Sequence, residues 1–179
     1  LRDDKILTSW NGLMIGAYAE GFRVLRNPAY RESAERGADF LLTKLSTPDG
    51  RLLRTYRNGT AKLPAYLEDY AFLADGLLKL HAATADPKRL EQARRLVDRL
   101  ISDFSDKRGG GFFYTADDHE SLLARTKDAF DNAVPGGNSV AIRALVRLAI
   151  ATNDPKYLEH SRKALETFGG TLTATPAGA

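Results

Sequence analysis

Three groups of carboxylates, amides and aromatic rings recur along this 179-residue chain, each just ahead of an apolar run. The first is Asp3-Asp4-Lys5 with Ser9-Trp10-Asn11-Gly12. The second is Tyr66-Leu67-Glu68-Asp69-Tyr70. The third is Asp128 and Asp131-Asn132 with Pro135-Gly136-Gly137-Asn138-Ser139. Rings present a flat apolar surface to a sugar's C–H face, while carboxylates and amides hydrogen-bond its hydroxyls. The combination is the chemistry of a cleft for a small saccharide-like ligand. Glu68 and Asp69 are the acid/base candidates, with Asp131 their partner from another group. Glycoside hydrolysis needs two carboxylates, about 5–5.5 Å apart for retention or about 6.5–9.5 Å for inversion. Trp10, Tyr66 and Tyr70 are the candidate stacking rings, and Asn11, Arg57 and Asn138 the candidates for orienting the ligand.

A competing role accompanies each of these residues. Helix N-termini expose free N–H groups and the positive end of the helix dipole, so Asn, Asp and Ser gather there as caps. The rings serve equally well as packing wedges where helices converge. Lys5, Arg54, Arg57 and Arg125 can hold a uronic acid or a phosphate, but pairing with neighbouring carboxylates is the simpler assignment. Carboxylates locked into caps or structural ion pairs would speak against catalysis.

Other chemistries find less support. His81 lies towards the end of an apolar run, His160 lies on an amphipathic one, and His119 sits in the polar run Asp117-Asp118-His119-Glu120. None has the spacing of a metal site, so no metal and no cofactor is expected. Gly109-Gly110-Gly111 lacks the Lys-Ser/Thr of a phosphate loop. Ser139 has no histidine beside it to activate a nucleophile. The chain has no cysteine, which excludes thiol chemistry and disulfides and fits a reducing, cytoplasmic setting.

The elements that must position these groups emerge from an internal repeat. Segments beginning at Asn11, Asp69 and Asn138 align, and each carries an Asn-Pro or Asp-Pro at its middle: Asn27-Pro28, Asp86-Pro87 and Asp154-Pro155. An Asx cap followed by Pro at the first helical position starts a helix, because Pro has no N–H to lose there. Each repeat therefore reads as a helix, a tight turn and a second helix. The second helices are amphipathic, as in Leu90, Ala93, Leu96, Val97, Leu100, Ile101 and Phe104, or Tyr157, Ser161, Ala164, Leu165 and Phe168. The first helices are apolar nearly all round, which places them inside. Gly12, Gly16, Ala17, Gly76 and Ala144 would let these inner helices approach closely. The predicted fold is all-α, a partial (α/α)6 toroid of three helical hairpins over about 8–46, 66–104 and 138–169, with 170–179 as a tail. Short β-like segments are expected in the long loops, at Asp49 to Leu53 and Gly109 to Tyr114. Both long loops lead into the N-terminal ends of inner helices, and long loops in compact domains usually carry function.

Composition narrows the partners. The chain is 43% hydrophobic and 27% charged with a formal net charge of +3, and no Lys/Arg block stands out, so no nucleic acid is expected. No apolar run approaches the roughly 20 residues of a membrane span. The chain opens on Leu1 directly before a motif, as a fragment of a longer protein would. An open toroid leaves the flanks around Leu13 to Phe22 and Val140 to Ile150 exposed, so self-association through them is expected.

The motifs Asp3-Asp4-Lys5-Ile6-Leu7-Thr8-Ser9-Trp10-Asn11-Gly12-Leu13-Met14, Leu67-Glu68-Asp69-Tyr70-Ala71-Phe72-Leu73 and Pro135-Gly136-Gly137-Asn138-Ser139-Val140-Ala141 together resemble the toroid region of the spermatogenesis-associated, thioredoxin-domain-containing proteins. The resemblance covers most of the chain. It implies a six-hairpin, glycosidase-like barrel preceded, in the full-length proteins, by a thioredoxin-like domain. It also implies kinship with sugar hydrolases and sugar 2-epimerases. Related epimerases use histidines on inner helices as acid and base, and no histidine here stands at the cleft end of one. The leading expectation is a carbohydrate-processing or carbohydrate-binding portion of such a barrel. The alternative is a non-catalytic scaffold that binds a protein or peptide beside a thioredoxin-like domain.

Overall fold

A computed structural model describes residues 3–119, 124–128 and 130–174. The elements run β1 (Ile6–Leu7), α1 (Thr8–Leu25), α2 (Pro28–Lys44), β2 (Leu53–Arg57), β3 (Thr60–Pro64), α3 (Leu67–Thr84), α4 (Pro87–Phe104), α5 (Gly137–Thr152) and α6 (Pro155–Ala174). The three hairpins are α1–α2, α3–α4 and α5–α6. All three turn in the same way. The residue closing each inner helix is left-handed, Arg26 at φ 54°, Ala85 at φ 57° and Asn153 at φ 54°. An Asx side chain then caps the outer helix: Asn27 accepts from Ala29 N at 3.0 Å, Asp86 from Lys88 N at 2.9 Å and Asp154 from Lys156 N at 3.0 Å. Proline follows each cap at the first helical position, where its missing N–H costs nothing.

Helix α3 is central. It packs against α1 on one side, α5 on the other and α4 behind, and twelve of its eighteen residues are buried. The α1–α3 contact depends on two glycines. A Cβ on Gly12 would lie 2.6 Å from Leu73 N, and one on Gly76 would lie 2.5 Å from Gly12 O. Both obstacles are backbone, so only glycine permits this helix separation. Outer helix α4 buries Ala93, Leu96, Val97, Leu100 and Phe104 against the inner layer. In α6, Tyr157, Ser161 and Ala164 are buried, whereas Leu165, expected on the same stripe, is 44% exposed.

The long loops depart from expectation in two ways. The first forms a true hairpin slightly later than the Gly50 turn: β2 pairs with β3 around Asn58-Gly59, both at positive φ, and β1 adds a third antiparallel strand with Ile6 opposite Tyr56. An Asn-Gly pair at positive φ matches the twist of a two-residue hairpin turn. Among the described residues, the second loop makes an isolated bridge, Ser105 with Phe112, and no strand pair. At the far end, α6 continues through Gly169-Gly170 to Ala174 rather than stopping before residue 170. There Thr173 Oγ1 donates to Gly169 O at 2.8 Å. The rest of the expected tail, 175–179, lies outside the described residues, as does Glu120.

The innermost helices are not equally enclosed. Trp10, Met14, Val24 and Leu25 stand exposed along α1, and Ile150 on α5 is 77% exposed. Among the described residues, no helix is long and apolar enough to cross a membrane.

Candidate functional site

The N-terminal ends of α1, α3 and α5 carry the three polar groups, and the sheet and second loop fold over them. Asp69, at the third position of α3, is fully buried. Its Oδ1 accepts from Ser9 N at 2.9 Å, and its Oδ2 accepts from Tyr66 N at 2.9 Å and from Arg54 Nη1 at 3.1 Å. The same carboxylate thus caps its own helix and ties down the start of α1. Burial pushes its pKa up to about 6, against the opposing pull of the Tyr66 N–H, Arg54 and the Ser9 N–H; neighbouring Glu68 pushes in the same direction as burial. Both carboxylate oxygens of Asp69 are engaged by protein N–H groups, so its geometry is that of a cap and ion pair.

Glu68, one residue earlier, is placed differently. It is half-buried and pairs with the same Arg54 Nη1 at 2.9 Å. Burial works against the Arg54 charge, but Asp69 and Glu68 outweigh it and hold the guanidinium pKa above its ordinary value. Arg54 also lies 4.8 Å over the Tyr66 ring, which stacks on Tyr114 at 4.8 Å. A cavity of about 210 Å³ opens between the starts of α3 and α5, bounded by Glu68, Tyr114, Asp128, Phe130 and Asn132. Phe130 is 45% exposed there. Asp131 does not line this cavity; it is exposed, and its Oδ1 accepts from Gly136 N at 2.7 Å as a cap of the turn before α5.

The ligand-orienting candidates separate just as clearly. Tyr70 belongs to the core: it is 3% exposed, packs against Phe104, and its hydroxyl accepts from Leu52 N at 2.9 Å. As placed, it offers no ring face to a ligand. Asn138 is 1% exposed and clamps the second long loop. Its Oδ1 accepts from Phe112 N at 2.9 Å, while Nδ2 donates to Phe112 O at 2.9 Å and Asp128 O at 3.0 Å. Asn11 Nδ2 donates to Leu7 O at 2.8 Å, bracing the entry to α1. Arg57 is exposed and pairs with Asp4. Trp10 is 60% exposed at the same end of the layer. The stacked Tyr66 sits between Arg54 and Tyr114, half-buried, at the rim of the site.

Sequence reasoning placed Asp128 in the third polar group without giving it a role and passed over Phe130, because a loop folded back by Asn138 has no period to reveal its facing side. It also read His119 only as part of a polar run. His119 instead packs edge-on against Tyr66 at 5.6 Å, and burial pulls its pKa down. Among the described residues, no group of His, Cys, Asp and Glu is arranged to hold a metal ion.

No protein-family profile matches the chain. Human spermatogenesis-associated protein 20 is 35% identical over 97% of the chain, which spans 23% of that protein's length. Among solved structures, the GH76 α-mannanase BT2949 of Bacteroides thetaiotaomicron superposes with a TM-score of 0.76 at 18% identity, over 95% of this chain and 46% of the mannanase. Cellobiose 2-epimerase from Spirochaeta thermophila gives 0.73 at 21%, over 92% and 43%. An α-1,6-mannanase of Salegentibacter, inactive with two adjacent aspartates replaced and bound to α-1,6-mannotetrose, gives 0.72 at 17%, over 91% and 47%. Over 97% of its length the chain is thus similar to one segment of spermatogenesis-associated protein 20, and its three hairpins have the fold of a little under half of the α/α toroids seen in these solved structures.

Proposed function

We propose that the N-terminal end of the inner layer is a saccharide-binding cleft in which Glu68 is the acid/base carboxylate. The observation carrying this reading is the cavity between α3 and α5. It brings a half-buried carboxylate, a second acidic residue in Asp128, and the rings of Tyr114 and Phe130 around one space. Glu68 and Asp69 form an adjacent acidic pair on an inner helix. Adjacent aspartates are also what the inactive mannanase bound to mannotetrose lacks. Within the pair the roles divide. Asp69 is a positioning residue, since it fixes Arg54, and Arg54 in turn holds Glu68. Asp128, which borders the same cavity as Glu68, is the second carboxylate for a hydrolytic step, whereas Asp131 lies outside that cavity and caps the turn before α5. Trp10 and Phe130 take over the stacking role from buried Tyr70.

The chain has a single tryptophan, Trp10, at this end of the layer. Its fluorescence reports on stacking at that ring, and equilibrium dialysis reports on binding elsewhere in the cleft. Titration with mannose, cellobiose and α-1,6-linked mannose oligomers should give a saturable change that Glu68→Gln weakens at least tenfold. If no saccharide changes the emission, and equilibrium dialysis also finds none retained, the cleft reading is wrong.

A further inference from the structure

Below the cleft, the inner helices carry an unusual charge arrangement. Glu68, Asp75 and Lys79 are spaced seven and four residues apart, so they share one stripe of α3. Asp75 is 2% exposed, in the middle of an otherwise apolar helix. Three cations converge on it. Lys79 Nζ lies 3.0 Å from Oδ2. Arg143 makes a two-pronged contact, Nε to Oδ1 at 3.2 Å and Nη2 to Oδ2 at 3.0 Å. Arg147 Nε lies 3.4 Å from Oδ1. Arg143 and Arg147 are one turn apart on α5, in line with exposed Ser139, and 43% and 37% of their side chains remain exposed.

One carboxylate needs one cation. Among the described residues, Lys79, Arg143 and Arg147 have no ion-pair partner other than Asp75. The cluster therefore carries two positive charges beyond neutrality. The two-pronged Arg143 contact engages Nε and Nη2, and the Arg147 contact only Nε, so several guanidinium N–H groups remain to be satisfied. Packing does not require this excess. A single Arg143–Asp75 pair would already link α3 to α5. The Lys79 stem also packs towards α1, its Cδ 3.1 Å from where a Cβ on Gly16 would lie, so the cluster borders all three inner helices. Asp75 stands about 10 Å along α3 from Glu68, at 1.5 Å per residue.

We propose that Lys79, Arg143 and Arg147, aligned by Asp75, form an anion subsite on the exposed side of the inner layer that takes the carboxylate or phosphate of an acidic saccharide. Guanidinium groups held by a buried carboxylate are already oriented, and two of them beside an ammonium suit an oxyanion with several acceptor atoms. Only the sugar portion of the ligand rests on the cleft reading above; the anion subsite stands on the charge arrangement itself.

Calorimetric titration of the 179-residue chain at low ionic strength separates the two. The probes are inorganic phosphate, glucose 6-phosphate, glucuronate and glucose. The acidic sugars should bind at least tenfold more tightly than glucose, with affinity falling as salt rises, and the preferred member identifies phosphate or carboxylate as the natural group. Arg147→Gln leaves Asp75 paired with Lys79 and Arg143, so the fold should hold by circular dichroism while phosphate affinity falls at least fivefold; Lys79→Gln should behave alike. Glucose binding as tightly as its acidic counterparts, or phosphate affinity unchanged in both variants, overturns the subsite. Phosphate binding that survives Glu68→Gln while neutral sugars are lost supports both sites as separate. Saccharide binding without any phosphate binding removes the subsite and leaves the cleft.

Discussion

Replacing Asn138 with alanine tests whether this residue is a ligand-orienting amide or a structural clamp. Its three hydrogen bonds, at 2.9, 2.9 and 3.0 Å, all run to backbone atoms of the second long loop. Each bond contributes about 1 kcal/mol net, and a buried group left unpaired costs about 1–3 kcal/mol. Asn138→Ala removes all three bonds and strips the side-chain partners from the N–H and C=O of buried Phe112. The expected loss is about 3–4 kcal/mol, or a fall in Tm of roughly 6–16 °C for a chain of this length. Urea unfolding followed by helical circular dichroism measures it, with the m-value unchanged if the native fold is kept. Asn138→Asp sharpens the test. Its carboxylate can still accept from Phe112 N but faces the carbonyls of Phe112 and Asp128 with no donor, so it should also destabilise at neutral pH. A loss below about 1 kcal/mol in Asn138→Ala, at constant m, would refute the clamp and return Asn138 to the ligand-binding set.

Three further outcomes follow from the same packing. Asp69 has a folded pKa of about 6 against an ordinary value of 3.8. Its stabilising contribution is therefore complete below about pH 4 and is lost as pH rises through about 6, by on the order of 3 kcal/mol. Asp69→Asn should flatten the stability profile across that window, and an unchanged profile in urea melts from pH 4 to 7 would contradict the assignment. Gly12→Ala forces a methyl group against the backbone of Phe72 and Leu73 and should cost at least 1–3 kcal/mol by overpacking; a neutral effect in thermal melts would show that α1 and α3 can part freely. The exposed apolar stripe of Trp10, Met14, Val24 and Leu25 on α1, with Ile150 on α5, should drive pairing with a second copy of the chain. Sedimentation velocity should show a concentration-dependent dimer that Met14→Glu with Val24→Glu converts to monomer, whereas a wild-type monomer at all concentrations defeats the idea.

Local order was written plainly in the chain. The Asx-Pro pairs at Asn27, Asp86 and Asp154 announce each outer helix, because cap and proline act through adjacent atoms. The contrast between apolar α3 and amphipathic α4 separates inner from outer layer by periodicity alone. Even the closeness of α1 and α3 was foreshadowed by Gly12 and Gly76. The Asn58-Gly59 hairpin was equally local, yet it was outweighed by the more conspicuous Gly50 turn.

The polar residues at the helix starts are where sequence alone fell short, and the reason is the same throughout. Asp69, Tyr70, Asn138 and Glu68 are polar or amphipathic residues at matching positions, and composition cannot say which will meet water and which will meet backbone. Distant partners decide it: Ser9 and Arg54 claim Asp69, Leu52 claims the Tyr70 hydroxyl, and Phe112 claims Asn138. Glu68 is left bordering a cavity. The Asp75 cluster shows the converse. Its spacings along α3 and α5 were visible in the chain, but only the packing of the two helices turned scattered charges into one site. The sequence by itself determined the helices, their caps and their layers, since these depend on neighbours within a few residues. Tertiary structure alone decided which side chains remain free to act, because buried hydrogen bonds form between residues as far apart as Ser9 and Asp69.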